Sequence, residues 1–437
     1  MIIAKRLKGK AISAWLGPSG DAARRVVTRA KQTIAGTGPR LDVYFDLADA
    51  WSYLTCQVVT RLLDAYPVDL SFTVVTPPGT DVAPMPLLQA AHSFRDAQHL
   101  AAYWDLEFPG KKEPDAGMVR DVGSALIRAR PAREQLACAM ELTTTMWKVD
   151  KKLLVTQLGT WGTESHGEVL PILNSHYGEL RKAGHYQGGM IQFDGTWYNG
   201  VDRLPYLEAA LAKAFGSAVV GVVKPRPLEE RGPLALSDKP LICDMWFSFR
   251  SPYSYLALEQ IEAALAPYGV PLALRPIAPM VSRGLPMPTI KKLYILGDAK
   301  READRLGIPF GEICDPLGAG IDHCIAIMYW ALRRSPAEAL AFARSAMRGI
   351  WSEAKDPGEY IDLRVMVERA GLPWEEAKAA LGDPAAARMA FDNAADLNGI
   401  GLWGVPSFRI GELVLWGQDR LPLIADRLRR HPPRATP

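Results

Sequence analysis

A serine and a proline separate a strand-like run from a helix-like run in the stretch FSFRSPYSYLAL, residues 247–258. Ser251 followed by Pro252 is typical of the N-cap and first position of a helix, where the hydroxyl accepts a backbone N–H. The same end of a helix stabilises negative charge and lowers the pKa of a thiol placed there. Two roles are therefore open for Ser251: a cap alone, or a hydroxyl that takes part in chemistry.

Three further groups of residues are candidates for chemistry, and each also has a structural explanation. Pro406, in GVPSF, is typical of a strand start. Gln418 and Asp419 lie between the strand-like run LVLW and the last predicted helix, where Asp419 could act as an N-cap. His323 and Cys324 match no known metal-ligand spacing, so we expect no metal site. The sequence has no phosphate-binding loop and no GxSxG, HExxH or dinucleotide motif.

The segment that contains Ser251 occurs twice in the chain. LDVYFDLADAWSYL, from Leu41, matches CDMWFSFRSPYSYL at a constant offset of 202 residues, so that 52–54 falls on 254–256. Near the ends of the two repeats, WYNGVDRLPYLEAAL from Trp197 matches VLWGQDRLPLIADRL from Val414 at an offset of 217 residues. Repeats of this length are typical of duplicated domains rather than solenoid units.

The repeats divide the chain into four predicted parts. Residues 41–215 and 240–437 are predicted to be the two domains, and the Pro-rich stretch 216–239 is predicted to be a linker. Residues 1–40 carry nine Lys or Arg against one Asp and lie outside both repeats. We predict a solvated basic arm there, with contact to an anionic surface or nucleic acid as the alternative.

Composition and the placement of the cysteines limit the kinds of protein that the sequence could encode. The net charge is only +3, and a nucleic-acid partner is not expected. Five scattered cysteines with no CxxC pair, together with the absence of a recognisable signal peptide, predict reduced thiols in the cytoplasm. The sequence contains no run of about 18 uncharged apolar residues, so no membrane span is predicted.

Each repeat has the same predicted order of elements. A strand, a helix and a second strand form a βαβ pattern, a long middle has helical periodicity, and a hairpin and a helix close the repeat. The turns of the two hairpins are predicted at FDGT and IGE.

The second repeat resembles the family of 2-hydroxychromene-2-carboxylate isomerases and kappa-class glutathione transferases. The matching motifs run in order from SPYSYLAL at 251 through KLYILGDAKREADRLGIPF, RGIWSEAKD and GVPSF to LWGQDRLPLI, which ends at 424. The resemblance implies an α/β protein of two tandem thioredoxin-like domains, each with an inserted α-helical subdomain of the DsbA-like kind. It also implies that the first repeat is a diverged copy.

The resemblance further implies glutathione as the cofactor, with its sulfur at Ser251. A hydroxyl that donates to the thiolate lowers the pKa of the thiol. A cis peptide bond is implied before Pro406, with the extended ligand pairing to the backbone of Val405. Gln418 and Asp419 are implied to hold the γ-glutamyl end, through its carboxylate and its ammonium group respectively.

The second repeat departs from the isomerase pattern in one loop. The isomerases carry a longer loop there, with an Asn that helps to bind the glycyl end. RPIAPMVSRGLPMPTIKK is shorter and has no Asn. We expect Arg283 or Lys291 to pair with the glycyl carboxylate instead.

The function implied is a glutathione-dependent isomerase of a conjugated, aromatic small-molecule electrophile, acting by thiolate addition and elimination. Transfer of the thiol to the substrate, as in the kappa-class transferases, is a close alternative. A non-catalytic binding or scaffold protein is a second alternative. A dithiol oxidoreductase is disfavoured because CxxC is missing. The fused copy also predicts an intrachain pseudo-dimer, and a homodimer is a further possibility.

The first repeat is expected to be inactive. It has Asp49, Ala50, Gly189 and Val201 in place of Ser251, Pro252, Pro406 and Gln418, and it keeps Asp202. A carboxylate beside a thiolate raises the pKa of the thiol, and a glycine gives no reason for a cis bond.

Overall fold

Two sheets of four strands organise the chain in the computed structural model, which describes residues 9, 11–17, 20, 26, 38–227 and 241–430. The chain divides into two units, and each unit contains one sheet. The first unit lies within 22–231, and the second combines residues from 1–21 with those from 232–437.

The first unit follows the predicted order of elements. Its elements are β1 (Arg40–Asp46), α1 (Ala50–Ala65), β2 (Asp69–Val75), α2 (Pro86–Tyr103), α3 (Ala116–Leu126), α4 (Ala132–Lys148), α5 (Lys151–Trp161), α6 (His166–Ala183), β3 (Met190–Phe193), β4 (Thr196–Asn199) and α7 (Leu204–Phe215). β1 pairs in parallel with β2 and antiparallel with β3, and the sheet order is β2-β1-β3-β4. Asp194 and Gly195 both have positive φ in the β3–β4 turn, which confirms the hairpin predicted at FDGT.

The second unit repeats this order. Its elements are β5 (Cys243–Phe247), α8 (Pro252–Leu265), β6 (Leu272–Pro276), α9 (Thr289–Leu306), α10 (Ala319–Arg334), α11 (Pro336–Ser352), α12 (Tyr360–Arg369), α13 (Trp374–Ala379), α14 (Pro384–Gly399), β7 (Ser407–Ile410), β8 (Leu413–Trp416) and α15 (Leu421–Arg430). The sheet order is β6-β5-β7-β8, so the two sheets have the same topology. The predicted fold class, α/β with helices inserted between the βαβ and ββα halves, is confirmed.

The central strand β5 is buried along its whole length. Its sequence, CDMWF, is nearly all apolar because helices cover both faces of a parallel pair. Trp246 is fully buried and packs in a cluster with Ile277, Leu397 and Leu402. β5 therefore delivers residues 248–251 rigidly to the carboxyl edge of the sheet, where α8 begins.

Part of the predicted linker packs on the first unit. The carboxylate of Glu208, which is 1% exposed, accepts hydrogen bonds from the backbone N–H groups of Gly221 (2.7 Å) and Val222 (3.1 Å). The predicted linker residues 228–239 lie outside the described residues.

The prediction of a solvated arm is wrong for residues 9 and 11–17. Ser13 donates a hydrogen bond to the carbonyl of Gly311, Leu16 is 5% exposed, and the Trp15 ring lies beside Gly297. The apolar run AISAWL accounts for this packing, whereas the prediction considered only charge. Residues 1–8, and most of 18–37, lie outside the described part of the chain.

Across the residues described, the structure contains no helix that combines the length and the apolar character of a membrane crossing.

Candidate active site

Ser251 is the N-cap of α8, as predicted. Its backbone is extended, and its Oγ accepts a hydrogen bond from the backbone N–H of Ser254 at 3.1 Å. Pro252 occupies the first helical position, where a missing N–H has no cost. Ser251 is partly exposed as a residue, whereas Ser254 is fully buried.

The same hydroxyl reaches the loop before β7. Ser251 Oγ donates to the carbonyl oxygen of Val405 at 3.2 Å, and the Val405–Pro406 peptide bond is cis, as the resemblance implied. The carbonyl of Pro406 in turn accepts a hydrogen bond from the N–H of Gly417 at 2.9 Å. Three segments that are distant in sequence therefore meet at the start of α8.

Gln418 and Asp419 follow Gly417 in a short 3-10 turn, residues Gln418–Arg420. Gln418 is 3% exposed, and its amide nitrogen donates both to Glu302 Oε2 at 2.9 Å and to Asp419 Oδ1. Both amide hydrogens are therefore used within the chain. In this geometry Gln418 orients Asp419, and its contact with a ligand carboxylate stays a prediction. Asp419 itself is partly exposed.

Arg283 contacts the loop that precedes β7, which contains Trp403 and Val405. Its Nη2 donates to the carbonyl of Trp403 at 2.8 Å, and its Nε donates to the carbonyl of Ala278 at 3.1 Å. Burial lowers the pKa of the Arg283 guanidinium. Lys291 lies in the first turn of α9 and is partly exposed, and its contact with a glycyl carboxylate stays a prediction.

Two supports of the Ser251 loop were missed by the sequence analysis. Arg250 forms a bidentate ion pair with Asp315, with Nε–Oδ1 at 2.7 Å and Nη2–Oδ2 at 2.8 Å. The indole nitrogen of Trp351 donates to the carbonyl of Phe249 at 3.2 Å. Both partners are far from the loop in sequence and belong to no local pattern, so nothing in the sequence pointed to them.

The chain's own thiols are poor candidates for a nucleophile. All five cysteines are free and buried. Burial raises the pKa of Cys243 to about 12, and it raises the pKa of Cys56 and Cys324 well above the usual range. A sulfur nucleophile at Ser251 would therefore have to come from a ligand.

The equivalent helix start in the first unit carries carboxylates. Asp49 is the N-cap of α1, and its Oδ2 accepts from the backbone N–H of Ser52 at 2.8 Å and from the Ser52 hydroxyl at 2.9 Å. Burial raises the pKa of Asp49, although the Ser52 bonds oppose the shift. Asp46 is 3% exposed, and its burial and the nearby Asp49 charge raise its pKa. Asp46 was missed, although the offset of 202 residues aligns it with Ser248.

In the first unit, Gly188 and Gly189 occupy the positions of Val405 and Pro406. Gly189 has φ +68°, and a Cβ placed on it would lie 3.2 Å from Ser52 Oγ. A Cβ on Gly188 would lie 2.5 Å from Asp46 Cβ, so the backbone packs directly on the aspartates. Among the described residues the only cis bond is Val405–Pro406, which agrees with the expectation for Gly189.

Comparison with known proteins finds similarity to one family. Residues 242–429 match the model of the DSBA-like thioredoxin domain. The 2-hydroxychromene-2-carboxylate isomerase of Sphingobium xenophagum is 25% identical over 194 residues, which cover 42% of this chain and 96% of that protein. The isomerase of the same name from Pseudomonas putida is 24% identical over 202 residues, 44% of this chain and 95% of its own. A solved structure of a 2-hydroxychromene-2-carboxylate isomerase covers 43% of this chain and 95% of its own, at 23% identity and a TM-score of 0.38.

Proposed function

Because residues 242–429 belong to the DSBA-like thioredoxin family, we propose that the second unit is a glutathione-dependent isomerase of the 2-hydroxychromene-2-carboxylate type. One observation carries the proposal. Ser251, a partly exposed residue, places its hydroxyl at the helix N-terminus beside Val405, while every cysteine of the chain is buried. The site has a group suited to a thiolate and no accessible thiol of its own.

The donors and acceptors present fit a γ-glutamyl peptide thiol. Ser251 would face the sulfur, and the backbone of Val405 would pair with the cysteinyl part of the ligand as an added strand. Asp419 would bind the γ-glutamyl ammonium group, because a carboxylate held by Gln418 is oriented and partly exposed.

Bound glutathione would supply a thiolate that adds to a conjugated electrophile and is later expelled, so that rotation occurs while the former double bond is single. In the free chain, the one proton of the Ser251 hydroxyl is donated to the neutral carbonyl of Val405. A hydrogen bond to an ionised acceptor is stronger than one to a neutral carbonyl. With a thiolate bound, Ser251 would therefore donate to the sulfur instead of to Val405, and together with the N-terminus of α8 it would lower the pKa of the thiol.

Calorimetric titration with glutathione tests the binding step. Asp419→Asn should weaken binding about tenfold, because the ammonium group loses a charged partner. Asp202→Asn is the matched control, since Asp202 occupies the equivalent position in the first unit, and it should leave the affinity unchanged. Absence of binding at millimolar glutathione, or equal effects of both variants, would refute the proposal.

The identity of the product tests the reaction step. With 2-hydroxychromene-2-carboxylate and a trace of glutathione, we expect an isomer of unchanged mass and no consumption of glutathione. A thioether formed in proportion to the glutathione consumed would instead make the second unit a transferase. Binding without turnover of any conjugated electrophile would favour a non-catalytic role.

A further inference from the structure

A partly buried cation, Arg283, lies near the proposed thiol site and has no carboxylate partner among the described residues. We propose that Arg283 is the carboxylate receptor of that site. The proposal rests on the proposed function and deepens it, because it adds a second charged recognition point to the ligand or substrate.

The partners of Arg283 are both neutral. Its guanidinium donates to the carbonyl oxygens of Ala278 and Trp403, and it forms no ion pair with any carboxylate in the described part of the chain. The surrounding segment, 277–297, contains Arg283, Lys291 and Lys292 but no Asp or Glu. No carboxylate of this segment can therefore pair with Arg283.

Removing a charge from water without a counter-charge is costly. Two carbonyl dipoles compensate only part of that cost, and they use two of the five N–H groups of the guanidinium. Three N–H groups have no hydrogen-bond partner among the described residues. A carboxylate fits such a planar group through two parallel hydrogen bonds, and it would supply the missing charge.

The position of Arg283 matches the reach of the proposed ligand. Its Nη2 lies 2.8 Å from the carbonyl oxygen of Trp403, two residues before Val405, whose carbonyl lies 3.2 Å from Ser251 Oγ. Two residues of chain span at most about 7 Å. The cysteinyl and glycyl ends of an extended glutathione are separated by a similar length, so one ligand can reach both groups.

The first unit has the opposite charge at this position. The offset of 202 residues aligns Arg283 with Asp81. Asp81 has an internal counter-ion, since its Oδ2 lies 3.0 Å from Arg181 Nη1. At this position, therefore, only the second unit has a cation, and no carboxylate of the described residues pairs with it.

The carboxylate has two possible sources, the glycyl end of glutathione or the acid group of the substrate. Glutathione and its monoethyl ester, esterified on the glycyl carboxyl, distinguish them. Binding of both should be measured by calorimetry in wild type, Arg283→Met and Arg283→Lys. Arg275→Met is the control, because Asp244 already pairs with the Arg275 guanidinium at 2.8 Å. Each comparison is made within one variant, so any effect of the substitution on the loop cancels.

If the glycyl end is the source, the ester should bind about tenfold more weakly than glutathione in wild type and in Arg275→Met. The difference should vanish in Arg283→Met and be partly kept in Arg283→Lys. If the acid group of the substrate is the source, the difference in affinity between glutathione and its ester will be the same in all variants. The preference in KM for a carboxylate substrate over its amide will then vanish in Arg283→Met.

If neither preference depends on Arg283 while glutathione still binds, the receptor role is wrong and the proposed function stands. If neither glutathione nor its ester binds the wild-type chain, the proposed function fails and the receptor role fails with it.

Discussion

The two units build the same helix start and place different chemistry on it. In the first unit the hydroxyl of Ser52 accepts from the backbone N–H of Asp46 at 3.3 Å, and in the second Ser254 accepts from the backbone N–H of Ser248 at 3.4 Å. The N-caps Asp49 and Ser251 both accept from the N–H three residues later.

The anchoring of the helix to the inserted subdomain is also shared. The indole of Trp51 donates to Asp96 at 2.8 Å, and the hydroxyl of Tyr253 donates to Asp298 at 2.7 Å. The offset of 202 residues aligns both members of these pairs. Groups that hold the helix in place are therefore kept in both units.

Three of the groups proposed to face a ligand in the second unit are changed in the first, whereas the counterpart of Asp419 is kept as Asp202. Asp49 stands where Ser251 stands, Gly189 where Pro406 stands, and Asp81 where Arg283 stands. The residues that anchor the helix are therefore shared by the two units, whereas most of the residues proposed to contact a ligand are not. We interpret the first unit as a copy retained for packing.

The largest expected effect is that of removing the Ser251 hydroxyl. Ser251→Ala should raise the pKa of the bound thiol and lower turnover by about a hundredfold, as for loss of one preorganised donor. The absorbance of the thiolate as a function of pH measures the first effect, and initial rates measure the second. Asp49→Ala, at the equivalent position, should change neither quantity. Equal effects of the two substitutions would remove the distinction between the units.

The next effect is a dependence of stability on pH that Asp46 of the first unit contributes. Burial and the nearby Asp49 charge raise the pKa of Asp46 to about 8 in the folded chain, from about 4 when unfolded. The folded state therefore holds the proton more tightly, and this contribution to stability is lost as the pH rises from about 4 through 8. Each pKa unit corresponds to roughly 1.4 kcal/mol.

Urea unfolding at pH 5, 7 and 9 measures this dependence. Asp46→Asn should remove most of it, whereas Ser248 and Ser251, the counterparts of Asp46 and Asp49, do not titrate in this range. Parallel stability profiles for wild type and Asp46→Asn would show that Asp46 is not the group responsible.

A smaller effect should follow loss of the N-terminal contact with the second unit. Leu16→Ala should lower the free energy of unfolding by about 2 kcal/mol, because Leu16 is buried. Hydrogen exchange should then increase at residues 311–313, near which Gly9 and Ser13 pack. Leu87→Ala, at an 85% exposed leucine of the first unit, is the control and should have no effect. Unchanged exchange at 311–313 would mean that the contact contributes nothing to stability.

The smallest effect is expected at Ser248. Its Oγ is buried and has no hydrogen-bond partner among the described residues, and Ser248 is 3% exposed. Removing a buried hydroxyl that makes no hydrogen bond should leave stability unchanged or raise it by up to about 1 kcal/mol. Ser254→Ala removes the acceptor of the Ser248 backbone N–H at 3.4 Å, so chemical denaturation should show this variant to be destabilised. A marked loss of stability in Ser248→Ala would reveal a partner for that hydroxyl.

The order of elements and the position of the Ser251 cap were predictable from the sequence. Periodicity and the 202-residue offset are local or repeated signals, and they persist over many residues. The cis bond at Pro406 followed from resemblance alone. The ion pair of Arg250 with Asp315 was not predictable, because it depends on how a distant loop returns to the helix start.

The error at the N-terminus has a physical cause. The N-terminal residues were judged by charge, but the apolar side chains of Trp15 and Leu16 decide where that segment packs. The ligand contact of Gln418, implied by the resemblance, stays a prediction, and the structure adds that its amide hydrogens are used by Glu302 and Asp419 in the free chain. Sequence position gives no information about which hydrogen bonds are already made inside the chain.

The most direct test of the central claim is the stoichiometry of glutathione binding to the whole chain. Calorimetric titration of wild type and of Asp49→Ser should both give one glutathione per chain. The serine does not create a second site, because Gly189 has φ +68° and its backbone packs against Ser52. Two equal sites per chain in the wild type would contradict the division of roles between the two units.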